Sequence, residues 1–359
     1  MTSLCGGSAP TVSVSIPARP GIEVRAQDLA LRLDGAAVQV VAEPAETSSR
    51  RRRDRPSWRP WMRRASHHLV LHGDAVPHPD LLAQLHAAVA AQPDAMLSMF
   101  TPWDSYASHA VRIAAFAGRP WVTPPGKTLT PIATVLPADA AAEFADSADP
   151  RAMSNEGEAL LRFARARGLA HYASNPSLVQ VHAGRHDRSV DEAAATAFLP
   201  ETAPPASWWC GEPLPTPRRL PVIHVRDGEP VSYEAPEGAD DRWRIRSRRE
   251  LATPHSRRLM RVVRDRLLCT ETARSDLRAA ASLLGAARVL CDQLVLAEAS
   301  GPTPEGFGGL CARESAATLP LGSLRLTVPA LATEDGAAEI RAAFVGIHDD
   351  VLEVLDGLR

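Results

Sequence analysis

Lysine is almost missing from this chain: Lys127 is the only one, and nearly all of the positive charge is arginine. Arginine keeps its charge at any working pH and forks onto phosphates and carboxylates, although the abundant alanine beside it reads first as the bias of a GC-rich coding sequence. An excess of one charge sign is missing too. Lys+Arg number 40 and Asp+Glu 42, a formal net charge of −2 at pH 7, which argues against nucleic acid as a partner, since dedicated binders carry a strongly basic domain. The five cysteines (Cys5, Cys210, Cys269, Cys291, Cys311) are odd in number, scattered and without a C-x-x-C. That argues against a disulfide framework or a zinc knuckle and favours a reducing, cytoplasmic setting.

Other absences narrow the field further. No stretch approaches the roughly 18 uninterrupted apolar residues of a membrane helix. Residues 1–10 lack the basic region and apolar core of a signal peptide. G-x-S-x-G, G-x-G-x-x-G and H-E-x-x-H do not occur, and Gly126-Lys127-Thr128 lacks the upstream glycine of a phosphate loop. His348-Asp349-Asp350 falls in a helical pattern where adjacent positions diverge around the axis, so it reads as surface.

What is present is an ordinary folded composition: 359 residues, 45% hydrophobic and 23% charged, of a size for two domains or for one large domain with an elaborate end. Residues 1–11 read as a flexible N-terminus. Over 12–200, β-like runs at 12–16, 38–42, 68–71 and 95–100 alternate with helical patterns at 24–33 and 80–91, predicting an α/β domain with a mostly parallel sheet flanked by helices. The arginine-rich stretch 48–55 reads as a solvated loop. A proline-rich linker, 201–221, follows, in which Trp208-Trp209 reads as a plug between domains. The remaining 222–359 predicts a hairpin turning at Asp227-Gly228 and then a mainly helical domain. Its helical signals are Leu277, Leu284 and Cys291 at sevenfold spacing, arginines at 257, 258, 261 and 264, and a last helix starting at Thr333 with Ile340, Phe344, Ile347, Val351 and Leu355 on one face.

One segment carries chemistry. In 65–77 (ASHHLVLHGDAVP) a hydrophobic strand ends in an acidic turn at Gly73-Asp74 before a proline. A carboxylate at the carboxyl end of a sheet strand is well sited for a metal or phosphate, whereas an Asp in a turn is often only a cap. Around it stand Ile16-Pro17-Ala18-Arg19, Trp58-Arg59-Pro60-Trp61, 97–100 (LSMF), 131–137 (PIATVLP), Asn155-Glu156-Gly157-Glu158 and 175–182 (NPSLVQVH). This ordered series resembles a bacterial and phage family of GT-A-type glycosyltransferase-like proteins, over roughly the first half of the chain.

The resemblance implies a nucleotide-sugar donor, an acceptor of unknown identity and a divalent metal, Mn²⁺ or Mg²⁺. Asp74 matches the second acid of the family's metal-holding pair, with Gly73 in place of the first. His72 is either a softer nitrogen ligand to the metal or a residue that fills the strand end, and His182 matches the histidine that closes the metal site. Pro17, Arg19 and Trp58 would lie by the nucleotide. Glu156, or Glu158 as its substitute, matches the acid that activates the acceptor. Two functions stay open: a metal-assisted glycosyltransferase, inverting or retaining, and a degenerate GT-A-like binding or scaffold protein. The leucine stripes of the helical domain are compatible with three roles: covering the acceptor site, docking a second copy, or docking another protein.

Overall fold

The computed structural model describes residues 10–18, 20–33, 38–43, 55–126, 129–147, 155–181, 194–224, 226–235, 243–246 and 256–357. The first half runs β1 (Val12–Ala18), α1 (Glu23–Arg32), β2 (Val38–Ala42), β3 (His67–Leu71), β4 (Ala75–Pro77), α2 (Leu81–Ala91), β5 (Ala95–Ser98), α3 (Tyr106–Phe116), β6 (Trp121–Val122), β7 (Ala133–Pro137), α4 (Ala138–Asp146), α5 (Glu156–Arg167), β8 (Ala170–Ser174) and β9 (Val179–Val181). Seven strands form one sheet in the order β2-β1-β3-β7-β5-β8-β6. β1 pairs in parallel with β2 and β3, and β5 with β8. β7 is wedged antiparallel between β3 and β5, and β6 closes the edge antiparallel to β8. The protein is thus α/β with a mostly parallel sheet.

Strand alternation sorts the side chains into two layers. Val12, Val14 and Ile16 of β1 and Leu69 and Leu71 of β3 pack against Ala26 and Leu29 of α1 and against α2. Val70, Met96 and Leu136 point to the opposite face, where Trp58, α4 and α5 cover them. α1 and α5 therefore lie on opposite faces of one sheet.

The second half contains β10 (Arg219–Ile223), β11 (Pro230–Glu234), β12 (Arg244–Arg246), α6 (Ser256–Leu267), α7 (Glu271–Ser275), α8 (Leu277–Glu298), α9 (Gly306–Leu324) and α10 (Glu334–Asp356). The expected hairpin forms with Val222 opposite Val231 and Gly228 at φ 69°. Thr333 caps α10 by accepting from the Gly336 N–H at 3.2 Å. The helical region shares its core with the sheet region: Ala110, Val111 and Ala114 of α3 pack in one cluster with Leu283, Leu290, Leu319 and Phe344. Arg112 of α3 is fully buried and donates to the Ser315 and Trp103 carbonyls, both at 3.1 Å, and to Ser108 Oγ at 2.5 Å. The proline-rich segment is packed as well. Trp209 is buried against Trp121 at 5.0 Å and donates to Gln84 Oε1 at 2.7 Å. Trp208 donates to the Asn175 carbonyl at 2.7 Å and meets Phe307 of α9 edge-on, so Trp208 reaches the junction with the helical half while Trp209 packs within the sheet region.

Three expectations need correction. Leu277, at the start of the α8 stripe, is 86% exposed, whereas Cys291, Leu290 and Leu294 are buried together with Leu283 and Ala286. His348 is buried against Phe116, while Asp349 and Asp350 pair with Arg313 and Arg266 at the surface. Arg55, expected to be solvated, is a half-buried loop residue that stacks 4.3 Å over the Phe144 ring and donates to the Phe144 carbonyl; residues 48–54 lie outside the described residues. α8 is long and apolar enough to cross a membrane, and 56% of its most apolar window is buried in this fold.

Candidate functional site

The strand order reverses between β1 and β3, because the chain runs outward from β1 to β2 on one side and to β3 on the other. Ligands of open α/β sheets gather outside the carboxyl ends of strands at such a reversal. Here that edge carries Pro17 at the end of β1 and His72-Gly73-Asp74 after β3. The turn is fixed by the His72 N–H on the Ile132 carbonyl at 2.8 Å and the Ala75 N–H on the His72 carbonyl at 3.0 Å. Asp74 Oδ1 accepts from Arg25 Nη1 of α1 at 2.6 Å, and its Oδ2 lies 3.8 Å from His72 Nδ1. Pro17 is buried, so its backbone carbonyl, not its ring, faces the turn: a Cβ on Gly73 would stand 3.5 Å from that oxygen. β4 then pairs with β9, putting Val181 opposite Ala75, the residue after Asp74. The segments that resembled the family's metal motif and its closing strand are thus neighbours. Arg19 and His182 lie outside the described residues.

The second candidate acid reaches the same edge from the other face. Asn155 caps α5 by accepting from the Glu158 N–H at 3.2 Å, and α5 runs back into β8 through Gly168, a left-handed position at φ 71°. A helix that leads into a parallel strand begins at that strand's carboxyl edge, so Glu156 stands at the edge that bears Asp74. Trp58 Nε1 donates to Glu156 Oε1 at 2.5 Å, and the indole packs edge-on to Phe144 at 5.2 Å. The expectation that Trp58 lies against a nucleotide is corrected: it is 0% exposed, packed in the core, with its indole N–H on Glu156. Its own place is set by His68, whose Nε2–H donates to the Ser57 carbonyl at 2.8 Å, leaving Nδ1 to accept from Ser13 Oγ at 2.8 Å. Burial pushes His68 down to about 4, so it is a neutral strut at pH 7. Glu158 faces solvent and pairs with Arg162, one turn along, at 3.5 Å.

Sequence reasoning missed two features. Arg25 carries no local motif and meets Asp74 only through the fold. A cavity beyond β5, lined by Ser98, Thr101, Ser105, Leu129, Thr130 and His171, also went unseen. In it, Ser98 Oγ lies 2.9 Å from His171 Nε2. Burial, with the Arg165 charge added, lowers His171 to about 4, which keeps the ring neutral at neutral pH.

A divalent metal does not fit the described donors. Asp74 is a single carboxylate already neutralised by a guanidinium at 2.6 Å, and no three His, Cys, Asp or Glu side chains converge among the described residues. A divalent cation is normally held by several oxygen ligands, and its affinity follows their number and charge. No family model matches the chain, and a search of curated proteins found no match.

Proposed function

We propose that the chain is a glycosyltransferase-like protein that binds a nucleotide-sugar at the carboxyl edge of β1 and β3 and transfers the sugar to a hydroxyl or amine acceptor. One observation carries the reading: Asp74 and Glu156, remote in sequence and singled out for different roles, both stand at the carboxyl edge of one sheet, on its opposite faces. Asp74 with Arg25 would orient the diphosphate. Glu156, its carboxylate steadied by the Trp58 indole, would accept the acceptor's proton as it attacks, which requires hydrogen-bond reach of that proton. Exposed Glu158, paired with Arg162, is the weaker candidate for that role. The helical half, sharing its core with α3, would serve as the platform for an acceptor-bearing partner or a second copy.

A second reading, donor binding without turnover, is favoured by the single acid at the turn and by the engagement of Glu156 with Trp58, since a fold does not fix an activity. Release of nucleoside diphosphate from UDP-, GDP- and dTDP-sugars separates the two. Release that falls in Glu156→Gln supports transfer; tight binding with no release over a broad acceptor panel supports the binding protein.

A further inference from the structure

We propose that Arg25, oriented by Asp74, is the cation that receives the donor's diphosphate, so that this site binds a nucleoside diphosphate without a divalent metal. The inference rests on the nucleotide-sugar reading above. It begins with Gly73. A Cβ built there would stand 3.2 Å from Ile22 Cδ1 and 3.5 Å from Ala26 Cβ, so the place of the missing acid faces α1 at close quarters. A side chain there would need the Ile22 methyl to give by a few tenths of an ångström and would stand against α1. The close approach that glycine permits also brings the first turn of α1, with Arg25, over the β3 turn.

Arg25 then occupies the place a metal would need. Its Nη1 is 2.6 Å from Asp74 Oδ1, and its side chain is still 52% exposed. The bond uses one donor of the fork, and the rest of the guanidinium faces outward at the sheet edge where anions of bound ligands collect. Arginine stays protonated throughout the working range and grips phosphate oxygens bidentately through charge-assisted bonds. Asp74 thereby becomes the group that aims the arginine and ceases to be a ligand. The other charges on this element are Glu23, which accepts from the Gly21 N–H at 2.7 Å, and exposed Asp28 and Arg32. Among the described residues, His72 is the other titratable group against Asp74.

Calorimetric titration of the full chain with UDP, GDP and inorganic pyrophosphate, first in EDTA and then in Mn²⁺, tests this. Dissociation constants agreeing within about threefold between the two conditions are expected. Arg25→Ala should weaken all metal-free binding by roughly tenfold or more, because it removes a charge-assisted contact. Asp74→Asn should also weaken metal-free binding but by less than Arg25→Ala, since the amide oxygen can still accept from the guanidinium while the charge that aims it is gone. Arg25 is exposed, so circular dichroism should show both variants folded. Binding that requires Mn²⁺, is lost in Asp74→Asn and survives in Arg25→Ala overturns the assignment while leaving the nucleotide reading intact. No binding of either nucleotide in either condition by folded protein overturns that reading, and the Arg25 assignment with it.

Discussion

The buried indole of Trp58 donates to Glu156 Oε1 at 2.5 Å, joining a short loop before β3 to the first residue of α5. A carboxylate at a helix N-terminus is already favoured by the helix dipole, and a donor from the core fixes its rotamer as well. Trp58→Phe keeps most of the ring and removes the donor. It should cost about 1.5–3 kcal/mol in urea unfolding, the range for hydrogen bonds to charged groups. An unchanged midpoint would mean that Glu156 is held by other contacts.

Gly157, the next residue, tests how tightly α5 is placed. A Cβ there would stand 1.8 Å from the Leu129 carbonyl oxygen, a backbone atom that cannot swing aside. Gly157→Ala should therefore destabilise the fold by about 1–3 kcal/mol or more despite alanine's better helix propensity. If the substitution stabilises the protein, α5 does not begin where the structure puts it.

The core shared by α3 and the C-terminal helices predicts a single unfolding transition. Tryptophan fluorescence and far-UV dichroism should give coincident urea curves, and Arg112→Ala should shift both together. That variant strips the Ser315 and Trp103 carbonyls of a donor and leaves a cavity, a loss of roughly 3 kcal/mol or more. Two separable transitions would show instead that the sheet and helical regions fold independently.

Stability should fall in mild acid. His68 and His171 both sit near 4 in the fold against 6.5 when unfolded, in each case chiefly because burial penalises the charged ring. The unfolded chain thus takes up protons first. The stabilisation is complete above pH 6.5, declines as the pH drops toward 4, and is worth roughly 3 kcal/mol per histidine over that window. Urea midpoints measured at about pH 7.5 and about pH 5 should differ accordingly. Equal midpoints would place both rings in contact with water.

Much of this fold is legible in the sequence, and the exceptions share a cause. β1, β2, β3, α1 and α2 follow from local alternation and helical spacing, and their observed limits fall within two residues of the expected ones. The hairpin at Gly228 and the cap at Thr333 follow from single residues with special backbone demands. β7 escapes such reasoning because nothing within 133–137 says that it will insert between β3 and β5 in reverse; only long-range pairing decides that. The same holds at the site. Asp74 stands out as an acid in a strand-end turn and Glu156 only through the family resemblance, but Arg25 has no signature until α1 folds over Gly73. Trp58 misleads for a related reason: its nucleotide role comes only from the family resemblance, and only the packing of Phe144 and α4 shows it buried.

The central claim is that the edge of β1 and β3 holds a nucleotide-sugar. Calorimetric titration of the folded chain with UDP-, GDP- and dTDP-sugars tests it most directly, because even modest affinity gives a heat and raises apparent stability by mass action. The account predicts that one nucleotide class binds, that the matching nucleoside diphosphate competes, and that Arg25→Ala weakens both. Silence across the panel, from protein shown to be folded, would contradict it.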